Sequence, residues 1–203
     1  MNDMAETPVA EDAAWAAVNT PLSVDELRDF CRDVERLFRI NPMLEFTEFR
    51  SLGDGRYSFA GRNISQETPF EFRSTFTVTE LPDGLQVDYD EGIKSSTRFT
   101  IEPAPQGSKL TITDRYERLE PGEREKHLAE VDKSLVIWAS YLQRFLVIWT
   151  RFSHISLWRW YMRRVWQPMK PMARRITYML LWISLVEVAL IALGVAIYFV
   201  EYR

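Results

Sequence analysis

The sequence predicts an α+β domain, an antiparallel sheet covered by one long helix, followed by an interfacial segment and one transmembrane helix. Three patterns predict it. Apolar residues alternate with polar ones in several segments between Phe70 and Ile112. From Leu128 to Phe152 apolar residues recur at spacings of three and four. From Thr177 to Phe199, 23 positions hold a single Asp/Glu/Lys/Arg residue, Glu187. Alternation at period 2 marks half-buried strands, the three–four spacing marks one face of a helix, and a long apolar run marks a span.

The chain opens with MNDMAETPVAEDAA, which has neither a basic n-region nor an apolar h-region. No signal peptide is expected from it, and residues 1–8 read as a frayed lead-in. The stretch AAWAAVNT reads as a strand, and helical turns follow. Ser23 with Glu26 three residues on forms an S-x-x-E capping box. Leu27, Phe30, Val34, Leu37 and Phe38 continue at helical spacing until Asn41-Pro42 stops the helix.

Strands come next. In PFEFRSTFTVTEL, Phe70, Phe72, Phe76 and Val78 share one face, with Glu71, Arg73, Thr75 and Thr77 on the other. Leu85, Val87 and Tyr89 alternate in GLQVDY, and Leu110 and Ile112 do so in KLTITDRY. Turn residues separate the strands at Gly53-Asp54-Gly55, Pro82-Asp83-Gly84 and Gln106-Gly107. The expectation is an antiparallel meander with one apolar face to cover.

The cover is the helix starting at Pro121, with Glu123 and Glu125 near its first turn. Leu128, Val131, Leu135, Trp138, Leu142, Phe145, Trp149 and Phe152 form its apolar stripe. So regular a stripe also suits a coiled coil. The upstream sheet needs a partner, however, and tryptophans occupy the seam, which favours a helix packed on the sheet. A second apolar face, Val136, Ile137, Tyr141, Val147 and Ile148, is left facing membrane, partner or ligand.

Charge divides the chain. From residue 137 onward there are nine Lys/Arg against two acids, +7; before it there are 16 against 27, −11, for a net charge of −4. Six of the seven tryptophans also lie beyond residue 137. The acidic first part argues against nucleic acid, whose phosphates need a basic stripe on the folded face.

At 1.5 Å per residue, residues 177–199 make a rod of about 35 Å, enough for a hydrocarbon core of about 30 Å. Before it runs LWRWYMRRVWQPMKPMARR, residues 157–175, with six basic residues and no acid. Trp158, Trp160, Tyr161 and Trp166 carry rings that settle at headgroup depth. Arg159, Arg163, Arg164, Lys170, Arg174 and Arg175 match anionic lipid, at about 1 kcal/mol per charge near the surface. Pro168 and Pro171 break the helix between this segment and the span. The same basic cluster predicts that the N-terminal domain stays cytoplasmic, at the inner membrane in a bacterium. Glu187, mid-span, has two readings: a neutral acid tolerated by an apolar helix, or a contact with another membrane subunit. Ala189, Ala192 and Ala196 add a small-residue stripe that permits close helix packing in the second case.

The expected order is a strand, two short helices, about six antiparallel strands and a long C-terminal helix. VNTPLSVDELRDFCRDVERLFRINP and VDKSLVIWASYLQRFL carry local motifs to match. In this the chain resembles the START/Bet v1-like (SRPBCC) superfamily of polyketide cyclases, lipid-transfer domains and coenzyme Q-binding proteins. The resemblance covers about residues 9–150. It implies the helix-grip fold, in which a curved antiparallel sheet wraps the long helix and a hydrophobic molecule is gripped between them. By the same implication the ligand cavity is lined by Phe72, Phe76, Tyr89, Phe99, Trp138 and Leu142. The expected organisation is a lead-in at 1–8, the START/Bet v1-like domain at 9–152, the interface segment at 153–176 and the span at 177–200.

Catalytic signatures are missing from the sequence: no G-x-S-x-G, no phosphate loop and no Cys/His metal spacing. His127 and His154 stand 27 apart and read as surface residues, Cys31 as a small semi-buried one, and Asp88, Asp90 and Glu91 as a solvated turn. No metal or cofactor is expected. A lone cysteine also rules out an internal disulfide. The leading reading is a membrane-anchored binding or transfer module for a hydrophobic small molecule, such as a lipid, isoprenoid, quinone or polyketide-like compound. The alternatives are an accessory or assembly subunit of a larger membrane complex, and a cyclase-type enzyme on a membrane-delivered substrate. The resemblance keeps the last open, because cyclases of this fold work mainly by cavity shape.

Overall fold

The chain is described from a computed structural model covering residues 13–66, 68–118 and 121–201, the side chains of 121–133 excepted. The lead-in and the side chains of His127, Leu128 and Val131 lie outside the described residues. The element order is β1 (Ala13–Thr20), α1 (Val24–Cys31), α2 (Val34–Ile40), β2 (Leu44–Gly53), β3 (Arg56–Asn63), β4 (Phe70–Leu81), β5 (Gly84–Tyr89), β6 (Ser96–Ala104), β7 (Gly107–Arg115), α3 (Pro121–Phe152), α4 (Ser156–Tyr161) and α5 (Pro171–Glu201). A π-helical turn, Met162–Trp166, follows α4.

Seven strands form one curved antiparallel sheet in the order β1-β7-β6-β5-β4-β3-β2. β1 leaves its sequence neighbours and pairs with β7, from Ala13↔Arg115 to Thr20↔Ser108. At the opposite edge β2 slips register between Phe46 and Glu48, where it passes Gly61 of β3. A Cβ on Gly61 would lie 2.2 Å from the Glu45 carbonyl oxygen, so only glycine permits that approach. The β2–β3 turn holds Gly53, Asp54 and Gly55 at φ 91°, 48° and 72°, the left-handed region that these residue types tolerate.

The helical turns expected after the first strand form two short helices. At α1 the capping box is complete: Glu26 N–H donates to Ser23 Oγ and Ser23 N–H donates to Glu26 Oε2. A second cap, Asp33, accepts from Arg36 N–H at 3.2 Å and restarts the chain as α2. The two short helices can therefore turn against the sheet, where Leu27, Phe30, Leu37 and Phe38 are buried.

α3 lies on the inner face of the sheet. Leu135, Trp138, Ala139, Leu142, Phe145 and Leu146 are buried along it. Trp138 Nε1–H donates to the Leu37 carbonyl at 3.1 Å, tying α3 to α2 across 101 positions of sequence. Phe38 joins the layers, with Phe76 of β4 at 5.6 Å and Trp138 at 5.5 Å between ring centroids. Ring pairs at such separations contribute about 0.5–1.5 kcal/mol each beyond their buried area.

α5 is 31 residues long, and its residues beyond Thr177 are exposed. Among the described residues it is the one helix long and apolar enough to cross a membrane.

Candidate functional site

Between the sheet, α2 and the first described side chains of α3 lies a cavity of about 200 Å³. Its aromatic wall is Phe38, Phe59, Phe72, Tyr89 and Trp138, and Asn41, Met43 and Leu44 close one side. The connections between β3 and β4 (Ser65, Gln66) and between β5 and β6 (Gly92, Ile93, Lys94) form its rim. An apolar cavity of about 150 Å³ accepts benzene. This one takes a ring or a short branched chain, with the rest of a larger molecule passing the rim.

Of the expected cavity residues, Phe72, Tyr89 and Trp138 line this space. Phe76, Phe99 and Leu142 stand behind it in the packed core, with no exposed surface. Phe76 and Phe99 support the liners: Phe76 meets Tyr89 at 6.0 Å and Phe99 meets Trp138 edge-on at 5.6 Å.

The cavity also has a polar corner. Asp114 of β7 has no exposed surface, and three donors converge on it. Lys94 Nζ donates to Oδ2, Tyr116 OH donates to Oδ2 at 3.3 Å, and Thr97 Oγ1 donates to Oδ1 at 2.5 Å. With the Thr97 hydroxyl hydrogen engaged by Asp114, its oxygen accepts from Tyr89 OH at 3.0 Å. Burial, helped by the Asp114 carboxylate, pushes the Tyr89 phenol above its ordinary range, so it remains a donor. Lys94, Tyr89 and Tyr116 all line the cavity. Arg118 fixes this corner by donating to the carbonyls of Tyr89 and Lys94.

Asp114 was within reach of the sequence. It extends the inward series Leu110, Ile112 by one more alternate position, and a carboxylate on that face needs buried partners. Tyr116 continues the same alternation one step further, just past the end of β7, whereas Lys94 comes from a loop, where no periodicity marks it. Asp88 accepts from Gln86, and Asp90 from Arg56 and Thr75 on the outer side of the sheet. Glu91 lies on the cavity rim. Among the described residues no group of three or more His, Cys, Asp or Glu is placed to hold a metal.

The segment ahead of α5 divides into two sets. Trp158, Tyr161 and Trp166 are half-buried against the domain, with Trp158 at 5.4 Å from Trp149 and Trp166 at 5.3 Å from Phe145. Arg174 turns inward with them. It lies 4.1 Å over the Trp166 ring and donates to the carbonyls of Trp166, Gln167 and Arg39 at 3.0, 2.8 and 2.6 Å. Trp160, Arg159, Arg163, Arg164, Lys170 and Arg175 are exposed. Glu187, Ala189, Ala192 and Ala196 lie on the exposed length of α5. Arg39 closes α2, two residues before Asn41 on the cavity wall, so one short helix joins the root of α5 to the cavity.

No family model and no curated protein matches the chain. Solved structures do. TTHA0849 from Thermus thermophilus superposes with a TM-score of 0.52 at 14% identity, over 65% of this chain and 94% of that one. The ZhuI aromatase/cyclase from Streptomyces sp. R1128 does so with a TM-score of 0.51 at 15% identity, over 71% and 96%. The di-domain aromatase/cyclase StfQ of the steffimycin pathway gives 0.50 at 9% identity, over 70% of this chain and 52% of its own length. At these identities the likeness speaks for architecture. This chain shares the helix-grip architecture of these structures, a curved antiparallel sheet around a long helix, and carries an apolar C-terminal helix as well.

Proposed function

We propose that the protein is a membrane-anchored binding or transfer module for a hydrophobic small molecule at the cytoplasmic face of a bilayer. One observation carries this reading: an accessible aromatic cavity between sheet and long helix, in a chain whose final helix is apolar and exposed. The span, residues 177–200, holds the cavity beside the bilayer and raises the effective concentration of any lipid-dissolved ligand there. The exposed basic residues ahead of it favour the cytoplasmic side. The polar corner supports binding over chemistry. Lys94, Thr97 and Tyr116 each direct a donor at Asp114, so these groups brace one another and offer a ligand orientation.

Native mass spectrometry of the full chain, released from membranes in mild detergent, tests the proposal. A co-purifying apolar molecule is expected, with its occupancy reduced in Met43→Trp, which fills the cavity wall. Protein that carries no such molecule and takes up no added isoprenoid, quinone or phospholipid would end the reading.

A second reading, an accessory subunit of a membrane complex, is favoured by Glu187, a carboxyl at mid-span. It predicts a stoichiometric partner in mild detergent that Glu187→Leu releases. A partner set unchanged by that substitution removes it.

A further inference from the structure

α3 has two apolar faces, and the sheet covers one of them. On the other, Val136, Tyr141, Val147 and Ile148 are exposed over the second half of the helix, and Phe152, expected on the sheet-facing stripe, is exposed beside them. Arg144 and Arg151 are exposed between them. At about 100° per residue these seven side chains fall within one half of the helix circumference, so they form a single stripe.

Two observations identify what covers it. The first is charge: from Leu135 to Val186 the chain contains no Asp or Glu, so every charged residue of the stripe and of the segment that joins it to α5 is basic. An apolar surface studded with arginine and free of acids matches the headgroup layer of an anionic bilayer. The second is continuity. Past Phe152 the exposed apolar residues run on through Ile155, Leu157 and Trp160 of α4, with Arg159 beside them, to the apolar length of α5. The inward anchoring of Arg174 and Trp166 holds the root of α5 against the domain.

We infer that the outer face of α3, from Val136 to Phe152, lies in the headgroup layer of an anionic membrane as an in-plane helix, with α4 continuing it. This rests on the membrane reading of α5 and goes beyond it. A span alone leaves a domain free to swivel above the lipid; a bedded α3 fixes it, sheet side outward.

The test uses the full chain in nanodiscs of about 30% anionic phosphatidylglycerol in phosphatidylcholine, enough to give the surface a negative potential. Single cysteines are placed in a Cys31→Ala background at Ile148→Cys, at Leu185→Cys in the span and at Leu52→Cys on the β2–β3 turn. Spin labels then report depth through collisions with oxygen and with a water-soluble nickel chelate. The expected result is label 148 in the outer lipid, about 5–10 Å deep, label 185 in the hydrocarbon and label 52 in water. Arg144→Glu with Arg151→Glu should raise the nickel accessibility of label 148 severalfold and leave label 185 unchanged. Label 148 in water with label 185 in lipid overturns the inference and leaves the anchor standing. Dipolar broadening between 148 labels, marking a second copy on the stripe, overturns it too. Label 185 in water overturns the anchor itself.

Discussion

Lys94 reaches from the β5–β6 loop to donate to Asp114, a carboxylate with no exposed surface, at the edge of the cavity. Lys94 itself is about one-third exposed, so the pair is asymmetric: one partner can be hydrated and the other cannot. Removing one side of such a pair therefore strands different groups from removing the other.

Asp114→Ala orphans three donors at once and should cost about 3–5 kcal/mol. Lys94→Met leaves the Asp114 carboxylate, which water does not reach, without its cation and with Thr97 and Tyr116 alone, and should also cost about 3–5 kcal/mol. Thermal melting in mild detergent, followed by near-ultraviolet circular dichroism, gives both values. A loss of under about 1 kcal/mol for Lys94→Met would mean that water reaches Asp114 once the lysine is gone.

Trp138→Ala removes the largest side chain between α3 and the sheet and should destabilise by about 3–5 kcal/mol. Trp138→Phe keeps most of the ring contact with Phe38 and Phe99 but loses the bond to the Leu37 carbonyl, for about 1–2 kcal/mol. The gap between the two variants, read from their melting temperatures, separates packing from hydrogen bonding.

Burial pushes the Cys31 thiol up to about 12, against a slight opposing pull from Arg36. At pH 8 its thiolate fraction is then about a thousandfold below that of an exposed cysteine. Iodoacetamide should label it only after denaturation. The raised value also makes Cys31 a stabilising proton site that weakens in alkali. Its contribution is complete below about pH 9, where the unfolded thiol is still protonated. Between about 9 and 12 it falls by about 1.4 kcal/mol per pH unit. Cys31→Ala should flatten that part of the stability curve.

Arg174→Gln cannot hold three carbonyls and a ring together. Chymotryptic cleavage at Trp166 should rise severalfold, with the melting temperature of the domain lowered by only a few degrees. Unchanged cleavage would show that Trp166 is held by Phe145 alone.

The sequence patterns that proved most legible were those with long repeats. The face of β4, the stripe of α3 and the length of α5 each extend over enough residues for periodicity to fix orientation. Short features were harder. The break between α1 and α2 depends on one cap, Asp33, inside an unbroken apolar rhythm. In α4, only six residues long, Trp158 and Trp160 stand two apart and therefore on opposite sides, one inward and one outward, and at the end of the π-helical turn Trp166 comes inward again. Composition marks all three rings alike; only the helical phase tells them apart. Asp114 and Tyr116 share the alternation of β7, yet the cation that pairs with Asp114, Lys94, comes from a loop.

The pairing of β1 with β7 also sets an order of assembly. Ala13 bonds opposite Arg115, about a hundred residues later, so the earliest strand to be synthesised waits without a neighbour while five others zip together. Such distant closure slows folding, and until it happens the outer edge of β7 stays unpaired. A rearranged chain that begins at β2 and inserts β1 directly after β7, ahead of α3, should therefore fold faster than the native order.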